Sequence, residues 1–117
     1  MDDSRPIFLQ ISEAIENDIL SGALPEEGQV PSTNEFASFY RINPATAGKG
    51  VNLLVDEGIL YKKRGIGMFV RAGAFERLAT QRRSKFEAEF IRPLVVEADK
   101  LGITQAQLIT MIQKEEH

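Results

Sequence analysis

The chain has 117 residues, enough for one domain or one domain with an appendage. Its 43% hydrophobic and 26% charged residues are ordinary for a folded protein and argue against disorder. Cysteine is absent and the single histidine is His117, which excludes disulfides, thiolate zinc sites, cysteine nucleophiles, a Ser-His-Asp arrangement and a two-histidine metal site within one chain.

No apolar run approaches the roughly 18 residues of a membrane span. The start, Met1-Asp2-Asp3-Ser4, is acidic and lacks an apolar stretch. The expectation is a cytoplasmic protein without a secretory signal or membrane contact. Net charge is -3, the wrong sign for bulk attraction to nucleic acid, but its distribution is uneven. Between Tyr40 and Arg71 stand Arg41, Lys49, Lys62, Lys63, Arg64 and Arg71, opposed by Asp56 and Glu57, whereas the first forty residues are acidic. A local basic face on an acidic body points to a docking surface; a solvated charge cluster is the plainer alternative.

In chain order, Pro6 suits a first helical position, and Ile7, Ile11, Ile15 and Ile19 recur every four residues, with Phe8 and Leu20 widening the stripe. This predicts a first amphipathic helix that ends at Ser21-Gly22. Leu24 to Gly28 reads as a turn-rich loop. Ser32-Thr33-Asn34-Glu35 has the form of a capping box and opens a short helix with Phe36, Ala37, Phe39 and Tyr40 on its apolar face. Asn43-Pro44 opens a third helix, through Ala47, Val51, Leu54 and Val55 to Gly58. Gly48 and Gly50 inside it cost about 1 kcal/mol each relative to alanine. For Gly50, close backbone approach and simple drift are equally good explanations. Ile59-Leu60-Tyr61 and Met68-Phe69-Val70 flank a turn of glycine and cations, the pattern of a β-hairpin.

From Ala72 to His117 the pattern is helical throughout. Phe75, Leu78, Ala79, Phe86, Phe90, Leu94, Ala98 and Leu101 fall at three- and four-residue spacings, interrupted by Arg82 and Arg83. Pro93 predicts a kink or break. Gly102 closes the helix, and Thr104 to Gln107 reads as a second capping box, with Ile103 and Leu108 placed as its hydrophobic staple.

Three short helices followed by a hairpin is the order of a winged helix-turn-helix. The expected fold is therefore mainly α with a small β-hairpin: a winged helix-turn-helix over residues 1–72 and a helical dimerisation tail over 73–117. Helix starts at Ser32 and Asn43 present a positive dipole end and unpaired amides to a phosphate. The third helix would enter the major groove N-terminus first, bringing Asn43, Ala45, Thr46 and Lys49 to base edges or phosphates. Lys49 suits a phosphate, and the hairpin tip, Lys62 to Gly67, suits the backbone or minor groove. Each feature alone has a structural explanation; their convergence in one segment favours DNA.

The stretches Pro6 to Ile11, Ile19 to Leu24, Val30-Pro31-Ser32-Thr33-Asn34-Glu35-Phe36-Ala37, Leu53 to Leu60 and Arg64-Gly65-Ile66-Gly67-Met68-Phe69-Val70 resemble the DNA-binding domain of the GntR family of bacterial regulators. Asn43-Pro44-Ala45-Thr46 and the short tail resemble its YtrA subfamily. That resemblance implies a homodimeric regulator with a tail of about two helices, commonly associated with transporter genes. The chain departs from the family at Asn34, Pro44 and Gly48, where relatives often carry arginine or threonine, so base contacts do not carry over directly.

The DNA-binding residues expected from these readings are Ser32, Thr33, Asn34, Asn43, Pro44, Ala45, Thr46, Lys49, Lys62, Lys63, Arg64, Gly65 and Gly67. The dimerisation residues expected are Phe75, Leu78, Phe86, Phe90, Ile91, Leu94 and Val95. The expected function is a repressor acting on a palindromic operator in double-stranded DNA, without catalytic activity, cofactor or metal. A small-molecule effector would act by favouring one dimer geometry, with its expected seat near Arg77, Arg82 and Arg83. A winged helix that serves only protein–protein contact is the competing reading.

Overall fold

A computed structural model describes residues 4–115, so His117 and the acidic Met1 to Asp3 lie outside the described residues. The chain divides into two compact units, residues 1–80 and 81–117.

The first unit begins with helix α1 (Ile7–Ser21), with Pro6 just outside it. Ile11, Ile15 and Ile19 are buried on one face, as their spacing predicts. Helix α2 (Thr33–Tyr40) starts at a complete capping box on Ser32 and Glu35. Its apolar face differs from the expected one: Phe36 and Ala37 join the core, whereas Phe39 is 79% exposed. Helix α3 (Pro44–Asp56) is capped by Asn43 with Pro44 in the first turn.

Two helix ends use the same closure. After α2, the Ile42 amide donates to the Ala37 carbonyl and the Arg41 amide to that of Ser38. After α3, the Ile59 amide donates to Leu54 and the Gly58 amide to Val55. Both are Schellman motifs, which need a left-handed residue after the helix. Gly58, at φ 76, meets that need without strain; Arg41, at φ 56, carries a Cβ into it.

The expected hairpin is present as β2 (Leu60–Lys63) and β3 (Gly67–Val70), paired with Leu60 opposite Val70 and Lys63 opposite Gly67. The sequence reading missed a third strand, β1 (Gln29–Val30), which pairs antiparallel with β3 to give the order β1-β3-β2. Two residues are too short to show alternation, and Val30 is recognisable as a strand residue only once β3 lies beside it. Leu60, Val70 and Val30 turn inward onto the core formed by the three helices.

The tightest point of that core is where α1 crosses α3. A Cβ on Gly50 would stand 2.6 Å from the Phe8 carbonyl oxygen and 3.0 Å from the Ile11 Cβ. The buried Ser12 hydroxyl donates to the Gly50 carbonyl at 2.7 Å and also reaches the Phe8 carbonyl at 3.3 Å. Close backbone approach is therefore the reason for glycine at 50. A Cβ on Gly48 would meet only the Thr33 Cγ2, at an ordinary 3.5 Å.

Helix α4 (Ala74–Phe86) opens inside the first unit, where Ala74 and Leu78 are buried in its core. This moves two expectations. The first unit runs on to Thr80 instead of ending at 72, because these two side chains complete its core. Leu78, expected at a dimer contact, is 1% exposed and has no surface to offer a partner.

In the second unit α4 passes into a π-helical turn at Glu87–Ile91 and then α5 (Arg92–Lys100), so Pro93 does not break the helix. Proline lacks an amide and its ring crowds the carbonyl four residues back, here that of Glu89. The widened turn, in which the Arg92 amide reaches the Glu87 carbonyl, accommodates it just upstream. Gly102 closes α5 with a further Schellman motif, the Ile103 amide donating to Ala98 and the Gly102 amide to Asp99. The Thr104 capping box then starts α6 (Gln105–Lys114).

Opposite outcomes are expected for the two helical glycines. Gly50→Ala should destabilise the fold by about 1–3 kcal/mol through overpacking, whereas Gly48→Ala should stabilise it by about 0.5–1 kcal/mol through helix propensity. Midpoints of urea unfolding measure both. Equal shifts of the same sign would show that the α1–α3 crossing is not the constraint.

Candidate nucleic-acid interface

The interface is built on the starts of α2 and α3 and on the β2–β3 wing. At α2 the Ser32 Oγ accepts from the Glu35 amide at 3.1 Å, while Glu35 Oε1 accepts from the Ser32 amide at 3.0 Å. The box leaves the Thr33 and Asn34 amides without a partner among the described residues. Thr33 rests against α3 at Gly48, so the two helix starts are close together.

The start of α3 differs from expectation. Pro44 has no amide, Asn43 Oδ1 accepts from the Ala45 amide at 2.7 Å, and the Thr46 and Ala47 amides donate to the Asn43 carbonyl at 3.0 and 3.1 Å. Its first amides are thus satisfied internally, which removes the unpaired amides read into Asn43. What remains there for an anion is the dipole end and the side chains.

Asn43, Pro44, Ala45 and Lys49 are exposed and Thr46 is half-buried. Ala45, Lys49 and Asn52 share one face of α3 and, with Phe8, Leu53 and Asp56, line a shallow depression of about 440 Å³. Asn52 was not recognised in the sequence, although its spacing of seven from Ala45 and three from Lys49 places it on that face. Lys49 Nζ lies 4.1 Å from the centroid of the Phe8 ring.

On the wing, Lys62, Lys63, Arg64, Gly65 and Ile66 are exposed and Gly67 is half-buried. Alternation puts Lys62 and Lys63 on opposite faces. Lys62 pairs with Met68, on the face whose other residues enter the core. Lys63 lies over the outer aromatic pair, 4.3 Å from the Phe69 ring and 5.9 Å from the Tyr61 ring. The same outer face holds Arg71, 5.4 Å from the Tyr61 ring, and a hydrogen bond from the Tyr61 hydroxyl to the Glu27 carboxylate. The tip is braced by Gln29, whose Nε2 donates to the Ile66 carbonyl at 3.3 Å. Ile66, at 65% exposed, is an apolar residue at the tip of the wing that sequence pattern did not mark for function.

Among the expected dimerisation residues, Phe86, Phe90, Ile91, Leu94 and Val95 are exposed in the second unit, with the Phe86 and Phe90 rings 5.8 Å apart. Phe75 is exposed in the first. Of the arginines considered for an effector, Arg77 lays its guanidinium against Gly58, 3.2 Å from where a Cβ would stand.

Residues 8–70 match the model of the family described as bacterial regulatory proteins, gntR family. This chain belongs to the gntR family. The matched segment runs from the first turn of α1 to the end of β3 and includes the starts of α2 and α3 and the wing. The chain is 27% identical over 111 residues to the HTH-type transcriptional repressor YtrA of Bacillus subtilis, covering 95% of this chain and 85% of YtrA. It is 31% identical over 74 residues to the uncharacterized HTH-type transcriptional regulator YurK of the same organism, covering 63% of this chain; it thus spans under a third, 31%, of that longer relative. Among solved structures, a GntR family transcriptional regulator from Listeria monocytogenes superposes with a TM-score of 0.80 at 28% identity, over 99% of this chain and 100% of that one. The AraR DNA-binding domain in complex with operator ORX1 gives a TM-score of 0.55 at 28% identity, over 60% of this chain and 86% of that one. The chain has the winged-helix fold of its gntR-family relatives, and no helix among the described residues is long and apolar enough to cross a membrane.

The Glu27 carboxylate accepts a hydrogen bond from the Tyr61 hydroxyl and raises the phenol above its ordinary value of 10.0; burial and the charge of Glu27 add to the effect and Arg71 opposes it. A folded value above the unfolded one means that this bond stabilises the wing below pH about 10 and is lost as pH rises through the raised value. In a Tyr40→Phe background, phenolate absorbance should therefore rise above pH 10, and Glu27→Gln should move it down. An unchanged midpoint in the Gln variant would show that the bond does not hold the wing.

Proposed function

We propose that this gntR-family chain is a sequence-specific double-stranded DNA-binding repressor that works as a cytoplasmic homodimer on a palindromic operator. The observation that carries the reading is the α3 start with Asn43, Pro44, Ala45 and Lys49 exposed, on the same folded unit as an exposed basic wing, Lys62 to Arg64. The N-terminal half of α3 enters the major groove, with Asn43 and Thr46 as hydrogen-bonding side chains, Ala45 as the small apolar group and Asn52 further along the same helix. Lys49, Lys62 and Arg64 meet phosphates; Ser32, Thr33 and Asn34 position the α2 start, with the free amides of the latter two toward the backbone. Gly65 and Gly67 let the wing tip approach closely, and Lys63 supports the wing from its outer face.

Two copies would place two α3 helices about 34 Å apart, one turn of DNA, on a two-fold site. The second unit supplies the contact through Phe86, Phe90, Ile91, Leu94 and Val95, since so many exposed large apolar side chains in a short segment mark an association surface. An effector that favours one dimer geometry would regulate binding by shifting that population. Resemblance to the YtrA subfamily extends the proposal to transporter genes.

Selection of bound duplexes from a random pool, followed by salt titration, tests the reading. The expected result is a two-fold symmetric site and a log K that falls steeply with log salt, by about 0.9 for each phosphate contact. No selected sequence and no salt response would instead support a winged helix that binds only protein. For the dimer, Phe86→Asp should sediment as a monomer and lose operator affinity; a mutant that stays dimeric would move the contact off this surface.

A further inference from the structure

Lys49 is held by an aromatic ring and not by a carboxylate. Its Nζ stands 4.1 Å from the centroid of Phe8, a half-buried residue of α1. Asp56 lines the same depression but makes no ion pair with Lys49 among the described residues. The difference matters for an anion. A carboxylate would neutralise the ammonium, whereas a ring face attracts it and leaves the whole charge free for a further partner.

The backbone that carries the ring is itself fixed. Phe8 and Gly50 share the Ser12 hydroxyl, which reaches their carbonyl oxygens at 3.3 and 2.7 Å. The Phe8 carbonyl oxygen lies so close to α3 that a Cβ on Gly50 would stand 2.6 Å from it. Gly50 follows Lys49 directly, so the crossing that holds α1 against α3 also sets the spacing between the two backbones from which the ring and the ammonium meet. A free lysine stem would lose its rotamer freedom on docking; one already laid on a ring loses less.

We propose that Phe8 is a positioning residue for DNA binding: its ring holds the Lys49 ammonium, charge intact, ready for a backbone phosphate beside α3. This rests on the DNA-binding reading and assigns to α1 a part in recognition beyond core packing.

The test is a double-mutant cycle on the intact chain with a pool-selected duplex, using wild type, Phe8→Leu, Lys49→Met and the double variant. Lys49→Met should flatten the salt slope by about 0.9 per subunit. Phe8→Leu should weaken binding about two- to five-fold per subunit, the range of an exposed cation–ring contact, and should add nothing in the Lys49→Met background. Phe8→Tyr, which keeps the ring, should bind like wild type. In the DNA-free protein, the Lys49 side-chain proton resonances should be shifted upfield by the ring, and Phe8→Leu should abolish that shift. This reading in wild type and Phe8→Tyr decides the matter even if Phe8→Leu fails to fold. Additive losses in the cycle, or the absence of the upfield shift, overturn the proposal. If wild type binds with a steep salt slope and the cycle is additive, the role of Phe8 falls alone; if wild type ignores both duplex and salt, the DNA-binding reading falls with it.

Discussion

The crossing of α1 over α3 at Gly50 is the constraint on which the rest of the first unit depends. Two helices can come this close only where one presents no side chain, and here the gap is closed by a buried serine hydroxyl bonded to the Gly50 carbonyl. That contact sets the angle at which α3 leaves the core and so decides which of its residues face outward. Ala47, Val51 and Leu54 are committed inward, leaving Ala45, Lys49 and Asn52 on the open side. The glycine weakens the helix locally, and the fold accepts this cost because α3 is valuable for where it points.

Electrostatics then acts locally. The chain carries net negative charge, yet its exposed α3 face and wing carry lysines and arginines. Two of those lysines, Lys49 and Lys63, lie over aromatic rings on different elements. Ring support orients a cation without cancelling it, which suits an acidic protein that concentrates few positive charges on one partner. The α3 start works the same way: with its amides already bonded to Asn43, any anion there meets side chains and a dipole, not free N–H groups.

The second unit follows a different logic. Ala98 is buried there, whereas Phe86, Phe90 and several aliphatic residues are exposed along α4, the π turn and α5. The π turn shifts the register of that face while carrying the chain past Pro93 without a break. A segment with so much apolar surface and so little core of its own is the one to which the proposed contact between copies is assigned.

Much of this was legible in sequence, and the reason is physical. Helix caps are local: Ser32-Glu35, Asn43-Pro44, Gly58, Gly102 and Thr104-Gln107 act within a few residues of themselves, so their types and spacing determined where helices start and stop. The four-residue isoleucine repeat of α1 and the basic turn of the wing are local in the same sense. Everything that required two distant segments to meet was decided by tertiary structure alone. Drift and close approach remained equal for Gly50 until α1 lay against it, and Leu78 read as an interface residue until the core of the first unit took it in. Strand β1 exists because β3 is beside it, and the amides at Asn43 proved occupied only in three dimensions. Phe8 counted as one more apolar residue of a stripe until the crossing brought Lys49 over its ring. Local hydrogen bonding is written in neighbouring residues, whereas packing depends on what the rest of the chain brings to the same place.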